Sequence, residues 1–151
     1  MENMQTNKEE KLDSIPLFQA TPTVMLCKDH PLAQRQSLDV RDLANERLFL
    51  TMPGSSMYER LQKLFALRDL PFPADQSYTF LVRQKMVAEN QGISFFSHHP
   101  GYNAHPNIRY IPLADPFEPW NARLYWRKDR PLSEDEMAFR DFTQRFYWEL
   151  H

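Results

Sequence analysis

Short apolar runs bounded by polar segments predict five β-strands, over residues 23–27, 48–52, 93–96, 108–113 and 122–126. Continuous apolar runs of this length are typical of strands that are buried on both faces of a sheet. Two weaker candidates are residues 12–18, which Pro16 limits to a sheet edge, and residues 76–78.

Apolar residues at spacings of three and four predict helices between these strands. The first covers residues 56–67 and begins with a capping box formed by Ser56 and Glu59. The second covers residues 81–89, with its apolar side chains facing inward. Asn90 is expected at its end, because asparagine tolerates the left-handed conformation that closes many helices.

The last helix has the clearest pattern. Ser133 is the predicted N-cap, and acidic residues fill the first turn, where the helix dipole favours them. Aromatic and leucine side chains then recur at helical spacing, at Phe139, Phe142, Phe146 and Leu150. The alternation of strands and helices predicts an α/β fold with a largely parallel sheet.

Composition narrows the class of protein. The chain has 151 residues, of which 42% are hydrophobic and 25% charged, and a formal net charge of −2. These values are ordinary for a globular domain and exclude the strongly basic face of a DNA-binding module. No apolar run approaches the ~18 residues of a membrane span. Cys27 is the only cysteine, so an internal disulfide is excluded and a reducing cytoplasm is expected.

The segment after the second predicted strand is a candidate anion site, formed by Met52, Pro53, Gly54, Ser55 and Ser56. Ligands of open α/β sheets lie beyond the carboxyl ends of strands. Here a glycine permits close backbone approach, a helix N-terminus offers unpaired N–H groups, and two serines add donors. The alternative is that the two serines only cap the helix.

A second strand end brings Ser97 and His98 toward the same edge, with His99 next to them. The alternative is an ordinary solvated loop. A metal cluster of His98, His99 and His105 is disfavoured, because adjacent histidines point in different directions and no carboxylate or cysteine completes the set. No metal or cofactor is therefore predicted.

The sequence contains few features that would indicate catalysis. Cys27 lies in an apolar run, where an inert buried thiol is more common than a nucleophile. The chain has no paired carboxylates at catalytic spacing, no phosphate loop and no ordered Ser-His-Asp set. We therefore do not expect an enzyme.

Several short motifs occur in a characteristic order along the chain. His30-Pro31-Leu32-Ala33 follows the 23–27 strand, and Gly54-Ser55 follows the next one. Residues 87–93, VAENQGI, and residues 125–133, YWRKDRPLS, come later. In this order the motifs resemble the effector-binding domain of LysR-type transcriptional regulators over about residues 12–150. Asn90 departs from the pattern, since the family usually has glycine there.

The resemblance implies a periplasmic-binding-protein-like (type 2) α/β sheet flanked by helices. Most of the chain is expected to form one subdomain, to which two hinge-crossing strands and a C-terminal helix are added. The expected division is a disordered leader (1–11), a remnant of subdomain 1 with the first hinge strand (12–28), subdomain 2 (29–121), and a return strand with the C-terminal helix (122–151). The implied hinges are Cys27, Lys28, Tyr125 and Trp126.

The implied function is sensing of a small anionic effector, for which a carboxylate is the candidate class, in a cleft between subdomains. DNA would be contacted only through a helix-turn-helix that this chain lacks, and no membrane partner is expected. Because the usual partners of the last helix belong to the missing part of subdomain 1, its aromatic residues are expected to drive homodimerisation. A transport-type solute-binding protein and an enzyme on the same scaffold are the alternatives. The effector's identity stays open, as does whether the chain is a fragment, a truncated reading frame or a natural short relative.

Overall fold

The computed structural model describes residues 11–99, 101–102 and 104–150. All but the last residue of the predicted leader lies outside this range. The described residues form two compact units. The larger unit contains residues 21–98 and 104–118, and the smaller unit contains residues 11–20, 99, 101–102 and 119–150.

The larger unit is built on a sheet. Its strands are the second part of β1 (Leu12–Cys27), β2 (Leu48–Phe49), β3 (Ile93–His98) and β4 (Ile108–Pro112), in the order β2-β3-β1-β4. β2 and β3 are parallel, whereas β1 is antiparallel to both β3 and β4. The predicted largely parallel sheet is therefore wrong for the described strands. An apolar run marks a buried strand but carries no information about its direction.

Side chains of β1 alternate between two apolar clusters on opposite faces of this sheet. Val24 and Leu26 join the larger cluster, to which helix α1 (Ser56–Leu67) contributes its buried face. Met25 joins the smaller cluster, beside Val87 of helix α2 (Phe80–Ala88). Both faces are thus covered, which is why the strands are apolar throughout.

Two helix details differ from the sequence prediction. Ser55, one residue earlier than predicted, caps α1, and its side chain accepts from the backbone N–H of Tyr58. In α2 the buried residues are Arg83 and Val87, whereas Leu81 is 74% exposed. The apolar pattern of α2 was misleading because a buried arginine occupies its inner face.

The HPLA segment has a local structural role. His30 precedes a 3-10 turn (Pro31–Gln34), and its Nδ1 accepts from the backbone N–H of Leu32 at 3.1 Å. Its Nε2 lies 3.1 Å from a carboxylate oxygen of Glu46. The imidazole thus caps the turn and anchors it to the loop that contains Glu46.

The smaller unit contains the first part of β1, which pairs antiparallel with β5 (Trp120–Arg127). A register shift between Pro16 and Phe18 accommodates the proline, so the strand continues beyond the predicted edge segment. Helix α3 (Glu134–Trp148) has the capping box of Ser133 and Glu136. A hydrogen bond from the Arg130 side chain, followed by one from the backbone N–H of Ser133, lowers the pKa of Glu136 to about 2.

None of the helices in the described residues could span a membrane.

Asn90 adopts φ 56°, as predicted for the residue that closes α2. Asn90→Ala is expected to lower the free energy of unfolding by about 1 kcal/mol, because a Cβ-bearing residue without a local hydrogen-bonding side chain resists this conformation. Asn90→Gly should match or exceed the parent. Urea unfolding followed by circular dichroism measures both. Equal stability of the alanine and glycine variants would contradict this account, with exposed Gln91→Ala as the control.

Candidate functional site

The candidate residues lie at one edge of the sheet in the larger unit. Because β2 is parallel to β3, the segment that follows β2 leaves the sheet at the same edge where β3 ends. β1 enters at this edge, with Thr21 opposite His98 and Pro22 opposite Ser97. β4 also ends there, since Pro112 lies opposite Thr23. Three strand ends therefore meet at the edge where α/β sheets place ligands.

The turn between β2 and α1 begins at Met52, which is 51% exposed. Pro53 and Gly54 follow, and Gly54 has φ +83° with no atom within 4 Å of the position that a Cβ would take. The backbone N–H of Ser55 donates to the Met52 carbonyl at 3.3 Å, which closes the turn. A glycine is therefore favoured here because the turn requires a positive φ, and the space beside Gly54 is open.

The start of α1 combines a helix terminus with hydroxyl groups. Ser55 Oγ accepts from the Tyr58 N–H at 3.2 Å and keeps its own proton for donation to another group. Ser56 is exposed at the first helical position. The first N–H groups of a helix have no intrahelical acceptor and carry a partial positive charge, so this turn favours an anion. The capping role is observed, and contact with a ligand stays a prediction.

Ser97 and His98 are the last residues of β3, which is two residues longer than the sequence pattern indicated. Both are half-buried, and the His98 ring lies 6.0 Å from the ring of Tyr110. His99 falls in the smaller unit. Within the described residues no cluster of three or more histidine, cysteine or acidic side chains could hold a metal ion.

The four predicted hinge residues each lie inside a unit. Cys27 ends β1 and is 4% exposed, and the N–H of Lys28 donates to the Asn107 carbonyl at 2.9 Å. Tyr125 and Trp126 lie within β5. The chain changes unit at residues 20–21, 98–99, 102–104 and 118–119. At the first of these boundaries β1 changes partner from β5 to β3. A hinge role for the four residues stays a prediction.

The sequence analysis did not identify Arg83, whose buried side chain in α2 forms hydrogen bonds to β3. The side chain is 5% exposed and donates to Ser94 Oγ at 2.8 Å, the Phe95 carbonyl at 2.9 Å and the Tyr78 carbonyl at 3.2 Å. Burial lowers the pKa of Arg83 to about 10. Ser94 Oγ in turn donates to the Phe49 carbonyl at 2.6 Å. This network fixes β2 and β3 side by side, and so fixes the two strand ends that form the edge.

Asp115 was also missed, and it fixes the segment after β4. Its carboxylate accepts from the Val40 N–H at 2.8 Å and from Arg68 Nε at 3.1 Å and Nη2 at 3.0 Å. Asp115 is buried, and Arg68 directly follows α1. No local sequence signal marks this residue, because its partners lie 75 and 47 positions away.

Comparisons with known proteins by sequence and by structure lead to the same family. The model of the LysR substrate binding domain matches residues 4–147. The chain is 24% identical over 143 residues to the HTH-type transcriptional regulator YwbI of Bacillus subtilis, with 93% of this chain and 48% of that protein aligned. The chain therefore spans about half the length of this relative.

Solved structures of the same family have a similar fold. HinK, a LysR family transcriptional regulator from Pseudomonas aeruginosa, has a TM-score of 0.75 and 19% identity, covering 93% of this chain and 50% of HinK. The effector binding domain of QuiR in complex with shikimate has a TM-score of 0.68 and 22% identity, covering 99% of this chain and 69% of QuiR's. Effector domains of this kind are periplasmic-binding-protein-like α/β folds, which confirms the predicted fold class.

Proposed function

We propose, from the premise that the chain belongs to the LysR substrate-binding domain family, that it is the effector-sensing portion of a LysR-type transcriptional regulator. The proposed ligand is a small anionic metabolite. It would bind at the edge of the larger unit, against the turn formed by Met52, Pro53, Gly54, Ser55 and Ser56, with Ser97 and His98 beside it.

One observation carries this proposal. A capped helix N-terminus, preceded by an open glycine turn, lies at the sheet edge where three strands end. Backbone N–H groups and hydroxyls are donors, so this surface favours carboxylates and other small anions over cations. Shikimate, which the effector domain of QuiR binds, is a carboxylate.

The proposed mechanism is a shift between conformational states. A ligand that makes more contacts in one arrangement of an effector domain stabilises that arrangement, and an attached DNA-binding dimer responds to the change. In this proposal the chain binds and releases its ligand unchanged, works in the cytoplasm, requires no cofactor and forms homodimers. YwbI and HinK are both named as transcriptional regulators, which supports a sensor over an enzyme.

Substitution of Ser55 tests the site directly. Ser55→Asp retains a side-chain cap for α1 but places a negative charge in the anion site, so binding of shikimate or another small carboxylate should weaken at least tenfold. Ser55→Ala should weaken binding by ~0.5–1.5 kcal/mol, a typical net hydrogen bond. Isothermal titration calorimetry measures both.

The matched control is Ser133→Ala, which removes the cap of α3 in the smaller unit and should leave binding unchanged. If Ser55→Asp bound the carboxylate as tightly as the parent chain, Ser55 would be removed from the site.

A further inference from the structure

Arg83 carries a positive charge that no carboxylate balances in the described part of the chain. Its side chain is 5% exposed, and its hydrogen bonds go to the carbonyl oxygens of Tyr78 and Phe95 and to Ser94 Oγ, which are all uncharged. Burial lowers the pKa of Arg83 to about 10, and among the described residues no acidic group opposes this shift. Buried charges in proteins are normally paired, so this guanidinium favours an anion beside it.

One amino group of the guanidinium has no partner in the protein. The three hydrogen bonds use Nε and Nη1, and Nη2 has no acceptor within the described residues. Nη2 is also not sealed in the core, because among these residues Gln76 Oε1 is the only fully buried side-chain polar atom without a partner. The N–H bonds of Nη2 therefore reach the surface.

This amino group lies at the N-terminus of α2. Nε and Nη2 form one edge of the planar guanidinium, with parallel N–H bonds. Because the Nε–H donates to the Tyr78 carbonyl at 3.2 Å, the neighbouring Nη2–H points the same way, toward the residue that precedes the N-cap Thr79. The guanidinium carbon also lies 5.7 Å from the centre of the ring of Phe80, the first residue of α2. Arg83 thus adds a charged donor to the start of its own helix.

The start of α2 lacks the negative groups that begin α1 and α3. Its N-cap, Thr79, is exposed and makes no side-chain hydrogen bond, and its first turn contains no acidic residue. In contrast, serines cap α1 and α3, and both helices have acidic residues in the first turn. The N–H groups of Leu81 and Val82 have no intrahelical acceptor, so they keep a partial positive charge to which Arg83 adds.

We propose that Arg83 and the N-terminus of α2 form an oxyanion subsite for an organic carboxylate. One carboxylate oxygen accepts from Arg83 Nη2, and the other accepts from the first N–H groups of α2 and the Thr79 hydroxyl. Leu50 exchanges backbone hydrogen bonds with Gln76 and Tyr78 in a parallel bridge, so α2 begins at the same sheet edge as α1. The subsite deepens the proposed function and rests on it for its ligand, since it assigns a second position for an acidic group of the effector.

Exposed apolar side chains beside this position favour an organic anion over an inorganic one. Leu81 is 74% exposed and Val82 is 44% exposed, at the second and third positions of α2. The Cα–Cβ bonds of a helix tilt toward its N-terminus, so these side chains lean toward the bound group. Leu81 also lines a groove of about 290 Å³ with Lys85 and Ala88. The hydrocarbon part of a carboxylate would remove this apolar surface from water, whereas sulfate has no such part.

Spectra of the labelled full chain test the subsite. Proton–nitrogen correlation spectra, recorded during titration with benzoate, should show saturable shifts of the Leu81 and Val82 amides and of the Arg83 Nε–H. Benzoate should bind at least fivefold more tightly at these groups than acetate, which has the same carboxylate without the ring. The absence of saturable shifts at these three groups would overturn the subsite, and equal affinities would overturn its organic class.

Two variants of Leu81 separate the subsite from folding. Leu81→Asp places a carboxylate in the first turn, where the helix dipole favours it, so this chain should unfold at a temperature no lower than Leu81→Asn. Its benzoate binding, measured at the Val82 amide and the Arg83 Nε–H, should nonetheless be at least tenfold weaker than that of Leu81→Asn, which has the same shape without the charge. Equal benzoate affinity of the two variants would overturn the proposal.

The control is Gln91→Glu, which adds the same charge at an exposed position beyond the end of α2 and should bind benzoate as the parent does. The two anion positions fail separately. Benzoate shifts at Leu81, Val82 and Arg83 that persist in Ser55→Asp support this subsite even where the α1 turn binds nothing. Saturable shifts at Ser55 and Ser56 alone would leave the proposed function standing and overturn the subsite.

Discussion

Replacing Asp115 by alanine is expected to lower the free energy of unfolding by about 3 kcal/mol. The carboxylate is buried and satisfies the Val40 N–H and the guanidinium of Arg68, whose side chain is 27% exposed. Its removal leaves a buried donor without an acceptor, at about 1–3 kcal/mol, and a partly desolvated charge without its counterion. A loss of this size is a large share of a typical domain's stability.

Urea unfolding monitored by circular dichroism measures this effect. Asp115→Asn should lie between the parent and the alanine variant, because the amide oxygen can still accept one hydrogen bond. Exposed Asp75→Ala is the control and should change stability by less than about 0.5 kcal/mol. An Asp115→Ala chain as stable as this control would show that the Asp115 contacts contribute nothing.

Replacing Gly92 by alanine should destabilise the larger unit by about 2–3 kcal/mol. A Cβ at this position would lie 2.5 Å from the Arg47 carbonyl oxygen and 2.6 Å from Cε2 of Phe49. β3 cannot simply retreat, because the adjacent Ile93 N–H donates to the same Arg47 carbonyl at 2.9 Å. Relief of the clash therefore disturbs the pairing of β2 and β3, and overpacking of this kind is costly.

Gly54→Ala provides the contrast, since its cost has a different origin. A Cβ at Gly54 meets open space, so only the backbone strain of φ +83° remains, at about 1–2 kcal/mol. Thermal or urea unfolding should rank Gly92→Ala as the more destabilised chain. The reverse order would mean that β3 adjusts freely against Arg47.

Local signals in the sequence predicted much of the fold. The cap of α3 was predicted because Ser133 and Glu136 act within one helical turn, and Asn90 because its conformation is a local property. The ordered motifs identified the family, which the match over residues 4–147 confirms. Two adjacent serines left the α1 cap ambiguous by one residue.

Local sequence signals could not predict contacts between residues that are far apart in the sequence. The inner face of α2 was mispredicted because Arg83 is solvated by Ser94 and Phe95, which lie 11 and 12 positions further along the chain. Strand direction was mispredicted because β1 spans both units and pairs with three strands. The strand ends of the candidate site could be predicted from the sequence, whereas the Arg83 and Asp115 networks that hold them in place could not.

The proposed sensor function depends on binding of an anion at the turn before α1. Proton–nitrogen correlation spectra of the labelled chain, titrated with shikimate and with sulfate, test it most directly. We expect saturable shifts of the amides of Ser55, Ser56, Met57, Ser97 and His98, and we expect these shifts to disappear in Ser55→Asp. Saturable shifts confined to other parts of the chain, or none at these five residues with either anion, would contradict it.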